Sequence, residues 1–77
     1  MSATKVIDAR GLPPPQPFEL VMEALCELAP GDEILLVLER EPTPLYQVLE
    51  RNGYQWRTTL HPEDGRVEVR IRERGSR

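Results

Sequence analysis

The chain has 77 residues, 39% hydrophobic and 30% charged, with a net charge of −3. A chain this short forms one domain with a small core, burying only about 60% of the surface that its unfolded form exposes. The acidic balance argues against bulk electrostatic binding of nucleic acid or acidic membranes. A lone cysteine excludes an internal disulfide, and no stretch approaches the roughly 20 apolar residues of a membrane span. Residues Met1 to Lys5 lack the apolar core of a secretory signal. The expectation is a soluble cytoplasmic protein, a monomer or weak homodimer, with no nucleic-acid or membrane partner.

Lys5-Val6-Ile7-Asp8 reads as a short first strand. A proline loop follows, and Pro15 or Gln16 opens a helix that runs to about Ala29. Prolines are tolerated in a first helical turn because those amides have no intrahelical partner. Phe18, Val21, Ala24, Leu25 and Leu28 follow helical spacing and form one apolar face, with Glu19, Glu23 and Glu27 opposite. Pro30-Gly31 stops the helix.

Glu33 to Arg40 holds the run Ile34-Leu35-Leu36-Val37-Leu38, which suits an interior strand. Thr43 is a candidate N-cap of a second helix, with Pro44 at its first position. Leu45, Val48 and Leu49 form its buried stripe, and Asn52-Gly53 ends it through a left-handed cap. Tyr54 to His61 is a third strand, Pro62 to Gly65 a turn, and Arg66 to Arg72 a fourth strand. In that last strand Val67, Val69 and Ile71 alternate with Arg66, Glu68, Arg70 and Arg72. Strict alternation gives the sheet one buried and one wet face. Both helices then cover the same side. The predicted fold is α+β, a two-layer sandwich of order βαβαββ with a four-stranded mixed sheet. It spans residues 1–77 as a single domain, with 74–77 a frayed tail.

Three groups of side chains invite chemistry. Cys26, the only thiol, sits between the apolar and acidic faces of the first helix, where a partly buried, inert cysteine is expected. His61, the only histidine, lacks companions at metal-ligand spacing or a nucleophile on its own element. Arg57, Arg66, Arg70 and Arg72 share the wet face of the last hairpin, where cross-strand ion pairs or a dimer surface are expected. Tyr54 and Trp56 belong by alternation to the helix-covered face, so the arginines lack the interleaved aromatics of an RNA-binding sheet.

The most distinctive motif is Asp8-Ala9-Arg10-Gly11-Leu12-Pro13-Pro14-Pro15-Gln16-Pro17. It resembles the D-x-x-G-L-x-C-P-x-P signature of the TusA/SirA-like sulfur-carrier proteins. Leu28-Ala29-Pro30-Gly31-Asp32 resembles that family's L-x-x-G-D segment, and Asn52-Gly53-Tyr54 the G-H or G-Y at its third strand. The combination of Gly-Leu-Pro-Pro-Pro with Arg40-Glu41-Pro42-x-Pro44-Leu45-Tyr46 looks like an uncharacterised bacterial branch of that superfamily. The resemblance implies the same βαβαββ fold. It also aligns Pro14 with the sulfur-bearing cysteine, and Arg40 stands where the carriers are acidic. A proline has no thiol, so the expectation is a protein that is not an enzyme and needs no cofactor or metal. It would act as a binding or adaptor module at the edge where strands one and two end, the usual binding position of open α/β sheets. Asp8, Arg10, Pro13, Pro14, Pro15, Arg40, Glu41 and Tyr46 are the candidate residues, and a small anion or a protein partner the candidate ligand. The alternatives are a sulfur relay through Cys26 and a regulatory or dimerisation domain.

Overall fold

The computed structural model describes residues 3–74. Its elements run β1 (Thr4–Asp8), α1 (Gln16–Cys26), β2 (Glu33–Leu38), α2 (Thr43–Arg51), β3 (Tyr54–His61) and β4 (Arg66–Glu73). The four strands form one mixed sheet in the order β1-β2-β4-β3. β1 runs parallel to β2, with Ile7 opposite Leu36, while β4 lies antiparallel to both β2 and β3. The α+β sandwich expected from the element pattern is the fold observed.

One face of the sheet carries the core. Ile34, Leu36 and Leu38 of β2 stand beside Ile71, Val69 and Val67 of β4, and all six are buried. Val21, Ala24 and Leu25 of α1 and Leu45 and Leu49 of α2 close over them in a single cluster. Tyr54 and Trp56 pack against the same cluster, as alternation along β3 requires. Tyr46 stacks on Trp56 with ring centroids 5.1 Å apart and planes 10° from parallel. This offset aromatic contact ties α2 to edge strand β3.

The opposite face is wet but not uniformly polar. Val6, Leu35 and Val37 lie on it, and Val6 is 61% exposed. Arg70 reaches back to Glu33 at 2.7 Å, Arg66 to Asp64 at 2.7 Å, and His61 lies 3.1 Å from Glu68. The cross-strand ion pairs expected of the four arginines are thus met by Arg70, while Arg66 pairs with the turn and with Glu68 on its own strand, and Arg57 and Arg72 form no ion pair among the described residues.

Several boundaries differ from the sequence reading, each for a local reason. α1 stops at Cys26, three residues short of Ala29. Glu27 N–H bonds Ala24 O at 3.1 Å and Leu28 N–H bonds Leu25 O at 3.3 Å, the tighter i to i−3 pattern that closes a helix. Pro30 then bars Ala29 from helical backbone. β2 stops at Leu38 and not Arg40, because its pairing with β4 ends at Leu38 opposite Val67. Thr43 is not a cap. It lies inside the first turn of α2 after Pro42, and no side chain caps the N-terminus of either helix. Gly53 takes φ 81°, the left-handed position expected of a helix-ending glycine. Cys26 is exposed, not partly buried, while its neighbour Leu25 takes the core-facing position. Of the expected tail, residues 75–77 lie outside the described residues, and Arg74 is not frayed: its N–H donates to Gly53 O at 2.8 Å. Among the described residues no helix is long and apolar enough to cross a membrane.

Leu49 is fully buried between α2 and the sheet. Leu49→Ala is expected to cost about 2–5 kcal/mol, a large share of the stability of a domain this size. Urea unfolding followed by Trp56 fluorescence measures it, and an unchanged midpoint would contradict the packing described here.

Candidate functional site

Two connections meet at the end of the sheet where β1 and β2 finish side by side. β1 hands over to α1 through residues 9–15, and β2 to α2 through residues 39–42. The first loop is turned by Gly11, whose φ of 81° is open to glycine and strained for other residues. Leu12 N–H closes that turn on Ala9 O at 3.3 Å. The Pro14–Pro15 bond is cis.

Between the two connections lies an open groove of about 590 Å³. Leu36 and Leu38 reach it from β2, Leu12, Pro14 and Pro15 from the first connection with Pro17 and Phe18 from the start of α1, and Arg40 and Pro42 from the second connection with Pro44 and Leu45 from the start of α2. Glu39 and Glu41 stand beside Arg40 on its rim. The volume falls within the range of ligand pockets, which are mostly apolar with a few polar groups. Leu12 and Phe18 remain 37% and 39% exposed there, apolar surface that the core does not use.

The same construction recurs at both helix starts. Pro15-Gln16-Pro17 opens α1 and Pro42-Thr43-Pro44 opens α2. Gln16 N–H is spent on Pro13 O at 3.0 Å, Thr43 N–H on Glu41 O at 3.0 Å and Leu45 N–H on Pro42 O at 2.9 Å. Pro17 and Pro44 have no N–H. A helix N-terminus binds anions through free amides, and here the donors of Gln16, Glu19, Thr43 and Leu45 are consumed and those at 17 and 44 are replaced by ring carbons, which leaves the Phe18 N–H open at the start of α1. The mouth offers apolar contact in place of an amide cradle.

The candidate residues divide accordingly. Pro14, Pro15, Arg40 and Glu41 line the groove. Pro14 is therefore at the mouth where the first strand passes into the first helix. Pro13 contributes its carbonyl to the Gln16 turn and is absent from the lining. Asp8 and Arg10 are not at the groove. Asp8 sits opposite Val37 on the wet face, and its carboxylate is gripped by Arg10 through Nε at 2.9 Å and Nη2 at 2.8 Å. Tyr46 is likewise occupied, its hydroxyl lying 2.6 Å from Thr58 Oγ1 and 3.1 Å from Glu41 Oε2. Partial burial raises the Tyr46 phenol above its ordinary value; Thr58 opposes that rise and Glu41 adds to it.

Sequence reasoning placed prolines, charged residues and Tyr46 at this edge but not Leu12, Phe18, Leu38 and Leu45. The available signal was the doubled Pro-x-Pro pattern, each copy followed at once by an apolar residue. Cys26 lies at the far end of α1, about 16 Å of helix from the mouth. Among the described residues no three His, Cys, Asp or Glu side chains are grouped to hold a metal.

The Asp8–Arg10 clasp has a measurable signature. Arg10's side-chain hydrogen bonds, then its backbone N–H, hold the Asp8 carboxyl down to about 2 from an ordinary 3.8. A depressed carboxylate contributes stability above its unfolded value, so this contribution is complete above about pH 4 and is lost as pH falls toward 2. Arg10→Ala is expected to return the Asp8 midpoint to the ordinary carboxylate range in a ¹³C-carboxyl NMR titration. A midpoint that stayed low would overturn the assignment.

No curated protein and no solved structure was found to match the chain. A family model does match, across residues 6–73, and so covers β2, β3, β4, both helices and most of β1. The chain belongs to the family described as an uncharacterized conserved protein, DUF2249.

Proposed function

We propose that this protein is a non-catalytic binding or adaptor module. Its proline-walled groove receives a large apolar side chain, aromatic or aliphatic, from a protein partner. The observation that carries this reading is the chemistry of the groove: apolar walls from two proline-rich segments, with most helix-start amides already bonded or absent. Aromatic and long aliphatic anchors gain most from such a surface, because interface energy concentrates in a few desolvated side chains. The small-anion alternative is the weaker one. Arg10 is committed to Asp8, and Arg40 stands between two glutamates.

The scaffold itself is read as a cysteine-less relative of the TusA/SirA-like carriers. Its support is the βαβαββ order, together with Pro14 at the position where that signature has its cysteine. A sulfur relay through Cys26 is disfavoured by the distance of that residue from the mouth.

Backbone amide NMR tests the groove with capped tripeptides Ac-Ala-Xaa-Ala-NH₂, where Xaa is Trp, Leu or Ser, and with sodium sulfate. Trp and Leu peptides are expected to shift Gly11, Leu12, Phe18 and Leu45, with Ser peptide and sulfate inactive there. Phe18→Glu is expected to weaken the Trp peptide by at least about tenfold, given the apolar area withdrawn. Silence toward Trp and Leu, or equal shifts with sulfate, would overturn the proposal. Incubation with a persulfide donor tests the rival by mass: gain of one sulfur at Cys26 would replace binding with relay.

A further inference from the structure

A second site is built on the wet face of the sheet, away from the groove. Arg57 of β3 is directly opposite Arg70 of β4, and Gln55 is directly opposite Arg72. Opposed side chains have Cβ atoms about 4.5–5.5 Å apart and diagonal ones about 7–8 Å, so three guanidiniums share one small area. They border a shallow hollow of about 170 Å³ together with Gln55, Trp56 and Glu33. One carboxylate serves the group: Glu33 holds Arg70 at 2.7 Å. Among the described residues, Arg57 and Arg72 form no ion pair.

This arrangement works against the fold. Like charges directly opposite on a sheet are destabilising, and the chain as a whole has acidic residues to spare, at net −3. Elsewhere on the same face arginine is neutralised: Arg66 lies 2.7 Å from Asp64 and 3.3 Å from Glu68. The three-arginine patch is thus a local positive excess of two in an acidic protein. Guanidinium groups in this density match a tetrahedral dianion, because each presents a planar fork of donors to paired oxygens. The Gln55 amide adds a neutral donor opposite Arg72. Glu33 fixes Arg70 in place without cancelling the patch. The hollow is well below the size of drug-like pockets, which suits a single phosphoryl group. Trp56 borders the hollow, but its ring is stacked on Tyr46 at the helix side and is already occupied as a platform for bases.

We propose that Arg57, Arg70 and Arg72, with Gln55, form a binding site for a phosphate dianion, carried free or as the phosphoryl group of a small ester. The site stands apart from the proline groove and from the reading given to it.

Arginine Nε and backbone amide NMR at constant ionic strength tests it, titrating inorganic phosphate, glycerol 3-phosphate and chloride. Saturable shifts centred on Gln55, Arg57, Arg70 and Arg72 are expected with phosphate or its ester and not with chloride. A preference for the ester identifies an organic phosphate, and equal binding identifies the phosphate ion. Arg57→Gln and Arg72→Gln are each expected to weaken binding about tenfold, the loss of one charged hydrogen bond, while Arg51→Gln on α2 leaves it unchanged. In phosphate-free buffer Arg57→Gln is expected to unfold at the same or a higher urea concentration than the wild type, since it relieves repulsion. Absence of saturation, equal response to chloride, full binding by Arg57→Gln, or a lowered unfolding midpoint for that variant would each overturn the proposal. So would a concentration-dependent dimer, seen by sedimentation, that protects Arg57 without ligand.

Discussion

The pairing of β2 with β4 is the constraint on which the rest of the structure depends. These two strands occupy the centre of the sheet. They bring Ile34, Leu36, Val69 and Ile71 together at essentially zero exposure. Each such side chain is worth about 1.5–3 kcal/mol of burial, and a domain of this length has few others to draw on. The edge strands attach to this pair, and both helices close over its apolar side. Because side chains alternate along a strand, burying Val67, Val69 and Ile71 forces Arg66, Glu68, Arg70 and Arg72 outward. The basic patch and the core are two faces of one register. A one-residue slip in β4 would put arginine into the core, which is why the register is strongly specified.

That register also sets the groove. β2 stops where β4 no longer supports it, and the freed residues 39–42 lie beside the first connection because β1 and β2 are parallel neighbours. Two chain reversals at the same end of adjacent parallel strands leave a cleft between them, as open α/β sheets generally do. Here prolines line it on both sides.

Much of this was legible in the residue order. Alternation in β4 is a period-two signal that admits no helical reading, and it carried the one-faced sheet and hence the two layers. Gly53 and Gly65 marked their turns because only glycine takes a positive φ without strain. The end of α1 was not legible, because Cys26, Glu27 and Leu28 all suit a helix. The Pro30 constraint acts on Ala29, and the last turn tightens ahead of it. The candidate site was half legible. Pro14, Pro15, Arg40 and Glu41 reached the groove, where the two connections face each other. Asp8, Arg10, Pro13 and Tyr46 did not: strand parity turns Asp8 away, Arg10 follows Asp8, Pro13 lies outside the lining, and Tyr46 is held by partners distant in sequence. Asp8 is turned to the wet face by pairing with β2, and Tyr46 is drawn onto Trp56 and Thr58 by the docking of α2 on β3. Thr43 was misread as a cap because a Pro-Thr-Pro sequence fits two helix registers equally well.

The two surfaces differ in what a ligand must overcome. Proline has few backbone states to lose, and Pro14, Pro15, Pro17, Pro42 and Pro44 fix most of the groove before anything arrives. A ligand there would cost the groove little conformational freedom, which leaves the ligand's own ordering and its lost translational and rotational freedom as the main terms that apolar contact must offset. The arginine face is the reverse case. Its donors end long side chains whose ordering costs up to about 2 kcal/mol each, and Glu33 holds Arg70 alone in advance. A rigid apolar groove favours modest, shape-driven recognition of a partner. A cationic patch favours recognition that depends on charge and weakens with salt. The chain keeps these chemistries on separate sides of the same central strands, where an occupant of one surface leaves the other open.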